Sequence, residues 1–308
     1  MKITLGISTG FTIKRWTNPT YWVPLIKEEL GLDLIQFSFD QLDPRSTKAA
    51  VDEYCNCVVN QCNKYGLEIH STFTGLSIYS HNLLYHPLEN GRRDGIDWFE
   101  KSFEITKILG CHATGGPIGG MDIHTFKYEE DYTHIKKCGE EALVYLLRKA
   151  KQNGIIDFYW EATPVEREGA ITIEDTRRFI GKINNLVGEE GAKFSLCFDM
   201  GHTTNPSLTS QEKDPYLWIE KLSDTIPIIH LQQTDGKLDR HWPFTEKNNK
   251  KGTVDASKLV KTLEHIDKKE IVLLLELGHP FEENDDLVLK EIKESVEYWK
   301  NSLKEYIS

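Results

Sequence analysis

The sequence is short of basic residues: 37 lysines and arginines stand against 48 aspartates and glutamates, a formal net charge of −11. Chains that grip a nucleic-acid backbone do so with a basic surface and the release of counterions, so this deficit argues against a nucleic-acid partner. Long apolar runs are missing as well. None approaches the roughly 18 consecutive residues needed to span a bilayer, and no membrane partner is expected. The first segment, Met1-Lys2-Ile3-Thr4-Leu5-Gly6-Ile7, enters a strand pattern at once, without a basic-then-apolar leader, so the expected location is cytoplasmic. The six cysteines show no framework spacing, which predicts reduced thiols there. Cys55, Cys57 and Cys62 cluster in sequence, but on a helical stretch where 55 and 57 cannot face one another; they are expected to pack or lie on the surface. Nucleotide signatures are absent too. No Gly-x-Gly-x-x-Gly follows the first apolar run, and Gly115-Gly116-Pro117-Ile118-Gly119-Gly120 lacks the Gly-Lys-Ser/Thr ending of a phosphate-cradling loop, so it reads as a tight exit from a strand.

What is present is a regular alternation of short apolar runs and longer helical patterns, the mark of repeated βα units on a parallel sheet. Strands are expected at 3–8, 34–40, 67–74, 112–118, 157–163, 194–200, 227–234 and 271–277. Helices are expected at 20–30, 47–65, 93–109, 129–153, 174–188, 214–224, 255–266 and 284–305. Ser46 and Thr172 offer N-terminal caps, and Gly66, Gly110 and Gly154 offer C-terminal stops. Eight consecutive units with no Pro-, Gly- or Ser-rich linker predict one closed (β/α)8 TIM barrel over residues 1–308, a usual length for that architecture.

In such a barrel the active site forms at the carboxyl ends of the strands, so polar residues there are the functional candidates. Four apolar runs end in a chemical side chain: Asp157-Phe158-Tyr159-Trp160 at Glu161, Leu196-Cys197-Phe198 at Asp199, Pro227-Ile228-Ile229 at His230, and Ile271-Val272-Leu273-Leu274-Leu275 at Glu276. Burying a carboxylate there costs several kcal/mol unless something positive receives it, and four neighbouring tips invite a shared divalent cation. Three carboxylates and one imidazole suit Mn²⁺, Mg²⁺ or Co²⁺ better than a thiolate-rich zinc site would; Mn²⁺ is the expected ion, with Mg²⁺, Co²⁺ and Zn²⁺ as alternatives. For any one of the four alone, the bland reading is a hydrogen-bonded structural group. With a cation polarising a carbonyl and its adjacent hydroxyl, Glu161 could remove the proton between them and Glu276 return it, or the reverse. Return to the other face of the same carbon is epimerisation; return to its neighbour is aldose–ketose isomerisation. His202, three residues beyond Asp199, is expected to touch substrate, as is His70 at the third strand. Lys14, Arg15, Lys237, Arg240 and His241 are cations in the first and seventh βα loops of an acidic protein, where phosphate could be held; the alternative is loop solvation or salt bridging. Trp16, Trp242 and Phe244 could cover a small substrate or close the barrel mouth.

These residues resemble the xylose isomerase-like barrels, in particular the sugar 3-epimerases typified by D-tagatose 3-epimerase. The resemblance rests on Glu161 in YWEATPVERE, Asp199 and His202 in LCFDMGH, His230 in IIHLQQTDG and Glu276 in LLLELGHP, and covers essentially the whole chain. It implies that Glu161, Asp199, His230 and Glu276 bind a divalent metal, that the two glutamates are the acid–base pair, and that Glu168 contacts substrate, although its spacing from Glu161 differs from the family's. The longer, more basic loop after His230 and Lys14-Arg15-Trp16 resemble the branch acting on erythrulose phosphates. The expected partner is thus a small sugar or sugar phosphate, with a homodimer possible since related barrels often pair. Competing readings are an aldose–ketose isomerase, a free-ketose 3-epimerase, a zinc barrel of the apurinic endonuclease type, and a sugar-binding protein without activity.

Overall fold

The computed structural model describes residues 1–306, in which eight parallel strands close into a barrel in chain order. They are β1 (Lys2–Ser8), β2 (Leu34–Ser38), β3 (Glu68–Phe73), β4 (Ala113–Gly116), β5 (Asp157–Glu161), β6 (Lys193–Asp199), β7 (Ile228–Leu231) and β8 (Glu270–Leu275). Ring closure is made by β1 on β8, with Lys2–Ile7 in register with Glu270–Leu275. Parallel neighbours require a crossover, and each strand is followed by a helix: Pro19–Pro24, Lys48–Tyr65, Glu89–Ile108, Glu129–Gln152, Ile173–Val187, Pro215–Leu222, Ala256–His265 and Asp285–Leu303. No described helix is long and apolar enough to cross a membrane.

The expected elements are all found, with local differences. The first helix is α-helical only to Pro24, which lacks the N–H needed to continue the ladder, and the chain goes on as a π-turn over Leu25–Glu29. Thr47, not Ser46, caps the second helix by accepting from the Ala50 N–H; Thr172 caps as expected, accepting from the Asp175 N–H at 3.1 Å. Three short helices in the loops, Leu76–Tyr79, Ile123–Lys127 and Glu246–Asn249, are too brief to leave a periodic signal in sequence. The glycines after Ala113 are required sterically: a Cβ on Gly115 would lie 2.1 Å from the Tyr159 carbonyl oxygen, and Gly116 sits at φ +131°.

Alternation along the strands separates two cores. Outward-facing residues such as Phe37, Phe158, Trp160, Leu196, Leu231 and Leu275 pack under the helices in one large cluster. Inward-facing Leu34, Phe73, Ala113, Tyr159, Cys197, Ile228 and Leu274 form a separate plug inside the barrel. That plug is the floor on which the polar residues stand.

Candidate metal centre

Two residues further along the same inward faces come the side chains that end the apolar runs: Tyr159 leads to Glu161, Cys197 to Asp199, Ile228 to His230 and Leu274 to Glu276. A period of two puts them above the apolar plug at the carboxyl rim. His230, Asp199 and Glu161 are 0%, 1% and 6% exposed. Each of the four offers one ligand atom, and these atoms lie within 4.8 Å of one another. Nδ1 of His230 stands 3.1 Å from Glu161 Oε1 and 3.0 Å from Glu276 Oε2, a nitrogen and two carboxylate oxygens arranged around one point. The hydrogen-bond geometry at Nδ1 joins it to Glu161 alone, so the buried Glu276 Oε2 has no partner. Asp199 accepts from the Gly201 N–H through Oδ1 at 2.6 Å, while its buried Oδ2 also has none. Orphaned acceptors in a dry site are costly, by ~1–3 kcal/mol each and more when charged. A divalent cation supplies what both oxygens lack, so the donor set fits one.

The electrostatics agree. Burial pushes the Asp199 carboxyl up to about 6, against the pull of His202 and His241. Burial also disfavours ionised Glu276, yet the charge of His230, with His241 and His202 beyond it, outweighs that and holds it at about 2. Cys197 lies against His230 and Glu161, and burial raises its thiol to about 12, so it stays protonated and makes a poor ligand next to three carboxylates.

Beside this group stands a second polar cluster. Nε2 of His202 and Nε2 of His241 each lie 3.2 Å from Asp239 Oδ2, and Gln232 donates from Nε2 to Asp239 Oδ1 at 2.6 Å. Both Nδ1 atoms are engaged by backbone oxygens, Ala162 O for His202 and Glu276 O for His241. Burial opposes charge on His241, but the Asp239 hydrogen bond and charge raise it to about 10; Asp239 is correspondingly held far below the carboxylate range. His241 has φ +49°, a strained conformation for a non-glycine residue. Glu168 joins the same rim: its carboxylate accepts from Thr163 Oγ1 at 2.5 Å and from the Tyr79 hydroxyl at 3.3 Å, and burial raises its acid range. Sequence reasoning named His202, His241 and Glu168 but passed over Asp239, Gln232 and Tyr79. The Asp-x-His spacing of Asp239 and His241 was the available signal.

The basic residues of the first and seventh βα loops differ in their surroundings. Arg15 is buried against the loop after β8, where Nε meets Asp285 Oδ1 at 2.8 Å and Nη2 donates to the Pro280 carbonyl at 2.6 Å; this is a latch rather than a free phosphate cation. Arg240 leans on Asp235 at 3.1 Å and on the Trp242 ring. Lys14 is exposed, 4.5 Å over the Phe281 ring, and Lys237 is exposed in the β7 loop with its backbone N–H on Asp235. Phe244 is packed between Tyr298 and Trp299 and belongs to the core, which excludes it as a lid.

His70 is the clearest departure. A register shift between Ile35 and Gln36 pairs Ile35 with Ile69 and Gln36 with Ser71, leaving His70 as the bulged residue. Its ring stacks on Tyr159 at 5.8 Å and lines cavities bordered by Lys2, Asp157, Lys193 and Glu270, at the amino-terminal mouth of the barrel, so it cannot meet a substrate at the rim. Burial pushes its imidazole from 6.5 down to about 4. The folded protein thus binds fewer protons than the unfolded chain between these values, and stability falls as pH drops through the window, by up to ~3 kcal/mol. Urea unfolding of the His70→Phe variant should show a shallower loss from pH 6.5 to 4.5 than wild type; equal losses would contradict this placement.

Residues 26–302 match the profile of the xylose isomerase-like TIM barrel. The chain is 24% identical over 301 residues to the D-erythrulose 1-phosphate 3-epimerase of Brucella abortus, a match covering 97% of this chain and 96% of that protein. Among solved structures, a candidate xylose isomerase of Rhodospirillum rubrum superposes with a TM-score of 0.90 at 28% identity, covering 97% of this chain and 99% of the other. The D-psicose 3-epimerase of Clostridium cellulolyticum, solved with D-tagatose, shares the fold at a TM-score of 0.70 and 13% identity, over 97% of this chain and 99% of its own.

Proposed function

Since the chain belongs to the xylose isomerase-like TIM barrel family, we propose that it is a divalent-metal-dependent epimerase of a small ketose phosphate, a four-carbon substrate of the erythrulose phosphate type. One observation carries the reading: Asp199 Oδ2 and Glu276 Oε2 are buried without donors beside His230 Nδ1 and Glu161. Glu161, Asp199, His230 and Glu276 would hold the cation, with Mn²⁺ the best match to three oxygens and one nitrogen. When bound, it supplies Lewis acidity toward the substrate carbonyl and neighbouring hydroxyl.

The protein's own groups do the rest. Glu276 is a carboxylate at neutral pH and can take the proton from the carbon beside the carbonyl. Glu161, reaching the same point from β5, can deliver a proton to the other face. His202 and Glu168 line the rim where substrate hydroxyls would sit. Lys14, Lys237 and Arg240, with His241, are the proposed phosphate contacts at the mouth. Aldose–ketose isomerisation uses the same pair and is the competing outcome.

The test is an NMR assay of the purified protein with Mn²⁺, offering D-erythrulose 1-phosphate and free ketoses side by side. Inversion at C3 of the phosphorylated substrate, faster than that of any free ketose, is expected. An aldose product would move the assignment to isomerase, and inert mixtures throughout would remove the enzymatic reading.

A further inference from the structure

Gln36 is a fully buried amide inside the barrel, on β2, and it reaches across the interior to β7. Its Oε1 lies 2.8 Å from His230 Nε2, and its Nε2 donates to Ser71 Oγ at 3.1 Å. Ser71 Oγ in turn lies 3.1 Å from His70 Nδ1. We propose that Gln36 is a positioning residue for the cation site: by accepting from Nε2–H it fixes the His230 tautomer whose Nδ1 lone pair faces Glu161, Asp199 and Glu276. Ser71 and His70 hold the amide in the required orientation. The inference rests on reading those four side chains as a cation site, but not on any sugar chemistry.

The hydrogen-bond directions make one consistent chain. An amide oxygen can only accept, so with a cation bound the one remaining His230 proton sits on Nε2 and Nδ1 is left as a ligand. Ser71, having accepted from Gln36, has its own hydroxyl proton to give to His70 Nδ1, and burial keeps that ring neutral and able to accept. If the amide were reversed, an NH₂ group would face Nε2, the proton would move to Nδ1, and the nitrogen that should meet the cation would be blocked. The β3 bulge matters here because it brings both His70 and Ser71 into the chain. A leucine at position 36 would join the apolar plug on either side but would leave His230 Nε2 without an acceptor. Groups that orient a ligating imidazole through its other nitrogen commonly change metal affinity by ~10–100-fold.

Mn²⁺ titration calorimetry on full-length wild type, Gln36→Leu, Gln36→Glu and Ser71→Ala tests this. Gln36→Leu should bind Mn²⁺ on the order of 10–100-fold more weakly, with the melting temperature of the metal-free protein not lowered. Gln36→Glu should recover most of the loss, because a carboxylate accepts the same bond. Ser71→Ala keeps the Gln36 oxygen but frees the amide to turn, and should weaken binding several-fold; it also covers the case in which Gln36→Leu folds poorly. In ¹⁵N-histidine-labelled protein loaded with Mg²⁺, His230 should show a single Nε2–H tautomer in wild type and lose it in Gln36→Leu, a change that altered packing alone would not produce. Wild-type affinity in both Gln36→Leu and Ser71→Ala, or no recovery by Gln36→Glu, overturns the role of Gln36. Failure of wild type itself to bind Mn²⁺ overturns the cation site and this inference together.

Discussion

Glu161→Gln and Glu276→Gln should each lower C3 epimerisation of D-erythrulose 1-phosphate by on the order of 10³-fold, since a lost general acid or base removes a factor of about 10²–10⁴. Glutamine keeps the shape and one oxygen of the side chain but cannot take up or release a proton. The two variants should not behave alike. Each keeps one glutamate, so each should still exchange the C3 proton of one epimer with solvent deuterium, and the retained epimer should differ between them. Glu276 is ionised in the resting protein and so available to take a proton, because the nearby imidazoles hold its carboxyl at about 2 despite its burial. Both residues also belong to the proposed ligand set, so Mn²⁺ binding has to be measured on each variant beside the exchange. Wild-type epimerisation in either variant, or exchange of both epimers by both, would take the acid–base roles away from this pair.

The quartet at the rim was legible in sequence for a definite reason. In a parallel barrel an apolar strand that stops at a charged residue carries that residue to the carboxyl rim, and the alternation of inward positions then brings Glu161, Asp199, His230 and Glu276 above the same apolar plug. The barrel itself followed from eight repeats of one pattern. What stayed hidden depends on contacts between distant segments or on a broken period. Arg15 looked like a free cation until the loop around Pro280 and Asp285 folded over it. His70 is the third residue of β3 and so lies toward the amino-terminal mouth rather than the rim, and no glycine announced the bulge that stacks it on Tyr159. Asp239 was overlooked between basic neighbours, although it joins His202, Gln232 and His241. Gln36 gave no signal at all, because a lone amide in a strand takes its meaning only from the imidazole across the barrel.

Asp199→Asn should change stability in opposite directions with and without metal. Burial raises the Asp199 carboxyl from 3.8 to about 6 in the metal-free protein, so between these values the folded state binds more protons than the unfolded, and this group's contribution to stability falls as pH rises through 6. At pH 7 the ionised carboxylate therefore disfavours folding, by roughly 1–3 kcal/mol, and the neutral amide escapes that penalty. The substituted side chain would still accept from the Gly201 N–H through its amide oxygen, while its NH₂ group places a donor where Oδ2 now has no partner. The metal-free variant should melt at the same temperature as wild type or higher. With Mn²⁺ at 100 times its Kd, wild type should gain ~2.7 kcal/mol, rising by about 1.4 kcal/mol for each further tenfold. The variant, lacking one anionic ligand, should lose most of that increment at equal Mn²⁺, so the order of the two melting temperatures reverses on loading. Scanning calorimetry at pH 7 with chelator and with Mn²⁺ reads both arms. An undiminished Mn²⁺ increment in Asp199→Asn would show that the cation is not held by this carboxylate, and a strong loss of metal-free stability would show that Oδ2 has a partner other than the cation.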